Sequence, residues 1–429
     1  MKIRILLFAM ALLSSTSIVP CAEGTWSFDP GEENFSDNAL LDLRSLNEKQ
    51  SGETGFVRLS QDGNSFVRGD GKPIRFWAIG SDIYRRSPEE MDRHCRFLAK
   101  MGVNMVRLHT TVANTKEDAK ITDVNEEEIA GIFRFIRAAK DNGIYLTISP
   151  YYGHHETPRS WELDGFDEGQ RPWGAIFTDP KMQNAYKAWT RELYTRVNPH
   201  TGLPIKNDPT VAILQIQNED SCFFWTFGSI PDAQKQKIGR KFADWLAEKY
   251  GSLEKATARW QGAKAKLDDF ENGIVGLYGP WHMTQDWEGG TAVRVRDEVE
   301  FLARHQRDFY EEMGRYVRDE LGCKQLLNAT NWRTANDERL KAIERWTYAA
   351  LDIDAENEYY GSDYQHIGEN NGYRIDPGHY LVNESCLQKP LELTANFKQQ
   401  AGHPFIVTET SWKNPNLYQT EGPPLIAAY

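Results

Sequence analysis

Two glutamates end apolar runs in this chain. Glu219 follows Val211-Ala212-Ile213-Leu214-Gln215-Ile216-Gln217-Asn218, and Glu409 follows Pro404-Phe405-Ile406-Val407-Thr408. Either acid alone reads equally well as a cap on a strand end. If the two runs are the fourth and seventh strands of one barrel, as the pattern of elements below predicts, their tips face each other across its mouth. Paired carboxyls about 5–5.5 Å apart, one ionised nucleophile and one general acid/base, carry out glycoside hydrolysis with retention. The nucleophile must stay ionised, so a cation belongs nearby. Arg107, in Asn104-Met105-Val106-Arg107-Leu108-His109, can supply it, and an ordinary structural ion pair there is compatible with that role.

Strand period decides which side chains meet. Gln215, Gln217 and Glu219 should share one face, and Leu214, Ile216 and Asn218 the other. Glu219 then projects into the site and Asp220 points away. Glu356 and Glu358 are rival carboxylates, expected to orient the pair rather than react. His154-His155-Glu156 lacks the HExxH spacing, so a sugar-hydroxyl or loop role is expected rather than a metal, and no cofactor is expected. Trp161, Trp173, Trp225, Trp281, Trp332 and Trp412 lie in loops after strands. Aromatic faces stack on sugar C–H surfaces, so some of these should form subsites and others simply pack.

The elements needed to hold such residues are legible. Strands are expected at 74–80, 104–109, 144–150, 211–219, 324–328, 351–357 and 404–409. Helices between them are marked by Met91, Cys95 and Leu98, by Ile129, Ile132, Phe133 and Ile136, and by Met182, Tyr186, Trp189, Leu193 and Val197. Gly102, Gly143, Gly322 and Gly402 sit where a helix C′ glycine precedes a strand. Seven β/α repeats predict an α/β fold, a (β/α)8 TIM barrel spanning 73–429. A doubly wound sheet is the alternative, but Ala78-Ile79-Gly80-Ser81-Asp82 carries no Gly-rich phosphate loop. Little chain follows Glu409, so the barrel is expected to be truncated before strand eight.

A helical insertion at 221–320 is expected after strand four. Ile238, Phe242, Trp245, Leu246 and Tyr250 mark one helix and Val295 to Val317 a longer one, around an aromatic loop at Trp281 and Trp287. Residues 23–72 form an N-terminal extension with a β-hairpin turning at Asp62-Gly63, placed to plug the barrel. Residues 1–22 resemble a secretory signal: Lys2 and Arg4, an apolar Ile5–Leu13, then small polar residues. Secreted or periplasmic localisation is expected. Ile18-Val19-Pro20 argues against lipidation at Cys21, and no segment is apolar enough to span a bilayer.

With 429 residues and a formal net charge of −12, the chain has no basic cluster for nucleic acid or anionic membrane, while neutral glycans remain admissible. Cys95, Cys222, Cys323 and Cys386 are too far apart for a zinc knuckle or disulfide scaffold, and Cys95 sits at a core spacing.

On Asn218-Glu219 and Glu409 in that order, the chain resembles clan A glycoside hydrolases, the 4/7 superfamily of retaining (β/α)8 enzymes. The resemblance covers roughly residues 73–412. It implies Glu219 as acid/base, Glu409 as nucleophile, Arg107 as the strand-two arginine, and Tyr359 or Tyr360 as the aromatic after strand six. Asn218, Arg107, His109, Tyr359, Trp332 and Trp412 are the expected substrate contacts. Gly71-Lys72-Pro73-Ile74-Arg75-Phe76-Trp77 is similar to family 5 cellulases and mannanases, and Phe242 to Glu254 to family 42 β-galactosidases. The implied activity is hydrolysis of a poly- or oligosaccharide, with sugar, linkage and oligomeric state undetermined. A non-catalytic glycan-binding barrel is the alternative. A metal-dependent barrel hydrolase is a further one, disfavoured because the first strand has no HxH.

Overall fold

A computed structural model describes residues 31–360, 364–365, 380–381, 383–392, 399–412 and 416–428. The expected leader at 1–22 lies outside the described residues. The unit that begins at Leu41 holds every strand and helix among the described residues.

Among the described residues, seven parallel strands run side by side in chain order. β4 (Ala78–Gly80), β5 (Met105–His109), β6 (Tyr145–Ser149), β7 (Val211–Gln215) and β8 (Leu326–Asn328) form one sheet. A bridge from Asn328 to Ile353 leads to β9 (Asp354–Asn357), which pairs with β12 (Phe405–Glu409). Between the last two lies a short antiparallel pair, β10 (Tyr364–Gln365) with β11 (Tyr380–Leu381). A doubly wound sheet reverses its strand order at a switch point. Here the order never reverses, and the β5 side chain Arg107 reaches Glu409 on β12, so the sheet curls as a barrel wall.

The helices fall where the apolar spacing puts them: α1 (Pro88–Lys100), α2 (Glu126–Asp141), the short α3 (Ala175–Thr178), and α4 (Pro180–Thr195). Ser87 and Glu90 form a capping box on α1, and Asn125 caps α2 through the Glu127 and Glu128 amides. Val197 falls beyond α4 and is exposed, so the apolar period runs one residue too far there. The insertion holds α5 (Trp225–Gly228), α6 (Asp232–Tyr250), α7 (Leu253–Arg259), α8 (Pro280–Met283) and α9 (Gly289–Arg315). Val317 lies in a π-helical turn after α9. α10 (Asp337–Tyr348) separates β8 from β9, and α11 (Gly422–Ala428) follows β12. Gly102, Gly143, Gly322 and Gly402 all have φ between 68° and 83°, the left-handed geometry that ends a helix cheaply only at glycine.

Strand parity sorts the core. Val106, Leu108, Leu146, Ile148, Leu214 and Leu327 face outward into one cluster with the helices. Met105, Tyr145, Ile213, Leu326 and Ile353 form a second cluster with Val57 and Phe66 of the N-terminal extension. That extension is a three-stranded sheet, β1 (Arg58–Leu59), β2 (Phe66–Val67) and β3 (Pro73–Ile74). Ile74 therefore belongs to the hairpin, and the first barrel strand starts only at Ala78. The sheet plugs one end of the barrel. Tyr145 donates its hydroxyl to Glu48, which also accepts from Thr54 at 2.8 Å. The four cysteines at 95, 222, 323 and 386 are buried and unpaired.

Candidate active site

Above the plug the barrel interior turns from apolar to polar. Arg107 on β5 is 4 % exposed and carries the site. Its Nη1 donates to Glu409 Oε1 at 2.6 Å, and its Nη2 donates to Gln215 Oε1 at 2.9 Å and Asn218 Oδ1 at 2.5 Å. Gln215 is locked in turn by donating to Asn328 Oδ1 at 2.9 Å. The arginine thus joins strands two, four and seven, at residues far apart in sequence.

The parity expected along 211–219 fails after Gln215, where β7 ends. Gln217 points outward and donates to Tyr310 on α9 at 2.9 Å, whereas Asn218 faces Arg107. Glu219 has φ of 50°, a left-handed conformation that side-chain-bearing residues rarely adopt. That twist turns Glu219 to the same side as Asn218. Its amide donates to Asn331 Oδ1 at 3.1 Å, which holds the turn, and Asn331 Nδ2 donates to Asn218 Oδ1 at 2.9 Å. Asp220 points away as expected, accepting from the Gly174 and Ser221 amides.

Two residues that sequence reading missed fix the Glu219 carboxyl. Thr408 Oγ1 donates to Asn357 Oδ1 at 2.6 Å, and Asn357 Nδ2 donates to Glu219 Oε1 at 2.7 Å. The Tyr152 hydroxyl lies beside the same carboxyl. Glu356 and Glu358 do not orient the pair. Glu356 accepts from Lys341 at 2.8 Å and Arg345 at 3.1 Å, and Glu358 accepts from Arg333 at 3.2 Å. Period two on β9 separates Asp354 and Glu356, both bound to Arg345, from Ala355 and Asn357. Applied to that strand, it would have picked Asn357.

Of the two aromatic alternatives, Tyr359 donates its hydroxyl to Glu409 Oε2, while Tyr360 is buried against Trp412 with ring centroids 5.4 Å apart. Trp412 itself is buried under Gly422 and Leu425, so the structure removes it from the expected substrate contacts. His109 sits 3.7 Å from Glu409 and 2.9 Å from Arg107. Trp332 is half-buried and packs edge-on against Phe224 at 4.8 Å. Trp161 is fully buried between His155 and Trp189. Trp173 packs on His154 at 4.5 Å, and His154 meets Arg171 at 3.1 Å.

The two carboxyls are driven apart electrostatically. Burial raises Glu219, and the neighbouring Glu409 charge raises it further, to about 7. Burial would raise Glu409 too, but the Arg107 guanidinium, the Tyr359 hydroxyl and His109 outweigh it and hold the carboxyl below its ordinary value. Burial and the Arg107 charge lower the His109 imidazole from its ordinary value, against the pull of the Glu409 charge. One acid is set to be ionised while the other keeps its proton.

No protein-family model matches the chain. Among curated proteins it is similar to mannan endo-1,4-beta-mannosidase 5 of Arabidopsis thaliana, 25 % identical over 256 residues, covering 55 % of this chain and 52 % of the relative. It is also similar to mannan endo-1,4-beta-mannosidase 4 of Solanum lycopersicum, 25 % identical over 36 % of this chain and 35 % of the relative. The chain spans about half the length of the first of these and less of the second. Among solved structures, the endo-1,4-beta-mannanase from Rhizomucor miehei matches at 14 % identity and a TM-score of 0.35, over 69 % of this chain and 99 % of that one. The endo-beta-1,4-mannanase from Thermotoga petrophila matches at 16 % and 0.32, over 79 % and 74 %. The sequence relatives fall on the cellulase/mannanase side of the two family resemblances.

Proposed function

We propose that this chain is a retaining β-glycoside hydrolase acting on a neutral β-linked polysaccharide, with β-1,4-mannan the first substrate to test. The observation that carries the proposal is the pairing of Glu219 and Glu409 around Arg107, with one carboxyl raised and the other lowered. The names of the sequence relatives support the choice of substrate.

In this reading the ionised Glu409 attacks the anomeric carbon. Glu219 gives its proton to the departing glycosidic oxygen, and a glycosyl ester forms on Glu409. Esterification removes the Glu409 charge, one of the causes that raise Glu219. The Glu219 pKa then falls, and its carboxylate can take a proton from the incoming water. Water adds to the anomeric carbon, the ester bond breaks, and both carboxyls return to their starting states. Arg107 and Tyr359 hold the nucleophile in place through each of its oxygens. Asn218 spends its Oδ1 on Arg107 and Asn331, while its buried Nδ2 has no partner among the described residues and is the donor left for a sugar hydroxyl. The leader-like segment 1–22 supports export, which N-terminal sequencing of the extracellular or periplasmic protein would check.

The deciding experiment uses activated aryl β-glycosides and azide. Glu409→Ala should abolish turnover, and azide should restore it as a glycosyl azide of inverted configuration. Glu219→Ala with azide should give the retained configuration. Wild-type turnover by Glu409→Ala would end the assignment.

A further inference from the structure

The 221–320 insertion presents two tryptophans to solvent: Trp225 is 47 % exposed and Trp281 is 54 % exposed. Both stand on fixed backbone. Trp281 opens α8 behind Tyr278-Gly279, whose amides both donate to Glu298 of α9 at 2.8 Å. Trp225 opens α5, which packs on α8: a β-carbon at Gly228 would stand in van der Waals contact with Pro280 Cδ, 3.5 Å away. Two ties hold this arm to the end of the barrel that carries the carboxyls. Ala335 N donates to Phe223 O at 2.9 Å, and Arg339 of α10 donates to Gln285 O at 3.1 Å and Asp286 at 2.7 Å.

The arm continues the site. Trp332 directly follows Asn331, the residue bonded to the Glu219 amide, and Phe224 packs on Trp332. Phe224 is followed in turn by Trp225. The Trp332–Phe224 ring contact therefore joins the loop beside Glu219 to the short helix that opens with Trp225, and Trp281 stands on the helix packed against it.

Chemistry gives the arm a direction. In the proposed reaction Glu219 protonates the departing oxygen, so sugar units lying along its side of the cleft belong to the leaving group. We propose that Trp225 and Trp281 form a stacking platform for the leaving-group half of a neutral β-linked polysaccharide, beyond the sugars bound at the carboxyl pair. Sugar C–H faces and indole faces match without any charge, which suits an acidic protein and a neutral polymer. The proposal rests on the hydrolase reading for its direction, though not for binding itself.

Binding and turnover are to be measured separately on the full chain. Glu409→Ala provides an inactive background for affinity electrophoresis in gels holding soluble β-1,4-mannan, β-glucan or xylan. At least one glycan should retard it, and adding Trp281→Ala or Trp225→Ala should raise the apparent Kd about tenfold. In the active chain, the same substitutions should lower kcat/KM on the retarding polysaccharide more than on a 4-nitrophenyl β-glycoside, whose leaving group is one small ring. Unchanged melting temperatures would show that the fold is intact. Equal retardation with and without both tryptophans, or no retardation by any glycan, would overturn the platform, and equal losses on both substrates would overturn its direction. Retardation that depends on the tryptophans, in a wild-type chain that cleaves none of these substrates, would sink the hydrolase reading and leave the platform standing.

Discussion

Arg107 is the residue through which the site is most easily dissected. Lysine keeps the charge but cannot reach Glu409, Gln215 and Asn218 together from one planar group. In Arg107→Lys, Glu409 should lose part of what holds its pKa down, so the acid limb of the kcat/KM profile moves to higher pH. Activity should fall roughly a hundredfold, the scale of losing one preorganised charge contact in a buried site. Asn357 gives a complementary test on the other carboxyl. Its hydrogen bond favours ionised Glu219, so Asn357→Ala should raise that pKa above about 7 and carry the alkaline limb upward. The rate loss, roughly tenfold or more for one hydrogen bond to a charged group, should be larger for poor leaving groups than for activated aryl glycosides. A residue acting only through stability would move neither limb. These roles were partly legible in the sequence. Glu219, Glu409 and Arg107 stand at the ends or middles of apolar runs and announce themselves. Asn357 was within reach of the same strand period, while Asn331 and Thr408 are small polar residues whose function exists only once the strands lie side by side. The positive φ at Glu219 was not legible either, because period-two reasoning assumes the ladder continues to the end of the polar run.

At the level of elements, apolar period and C′ glycines placed each described barrel strand within a few residues, since each strand must bury one face under helices. Strand ends were harder, because hydrophobicity does not reveal where the ladder stops. Trp412 shows the matching failure for aromatics. A loop tryptophan beside a site residue looks like a sugar platform, and only packing shows that Gly422 and Tyr360 have already covered it. The hairpin plug is the element whose role is best tested by stability. Phe66 is buried, packs at a tilt against Phe76 with ring centroids 5.4 Å apart, and fills the barrel floor with Met105 and Ile213. Phe66→Ala should cost about 3 kcal/mol, the usual range for a buried phenylalanine, read as a lower urea midpoint. An unchanged midpoint would mean that the floor repacks without the plug.

Across the whole molecule, two sets of buried groups oppose each other over one pH window. Burial raises Asp220, Glu298 and Glu344 to about 7 each. The native state keeps these protons after the unfolded chain has released them near pH 4, so this contribution is full below that pH and is lost as pH rises to about 7. Burial lowers His155 and His305 to about 4. For these the unfolded chain takes up protons as pH falls through about 6.5 while the native state refuses them, so their contribution is lost on acidification. The wild-type stability profile between pH 4.5 and 6.5 should therefore be flatter than either set alone would make it. Single substitutions expose the two slopes. Glu344→Gln keeps an acceptor for Tyr348 and Gln306 and removes one falling contribution, so its stability relative to wild type should improve with rising pH, by up to about 1.4 kcal/mol per unit. His305→Asn keeps a donor for Phe177 O and removes one rising contribution, so its relative stability should worsen as pH rises. Urea midpoints at several pH values measure both. Parallel profiles for wild type and either variant would show that the group titrates alike in the folded and unfolded chain.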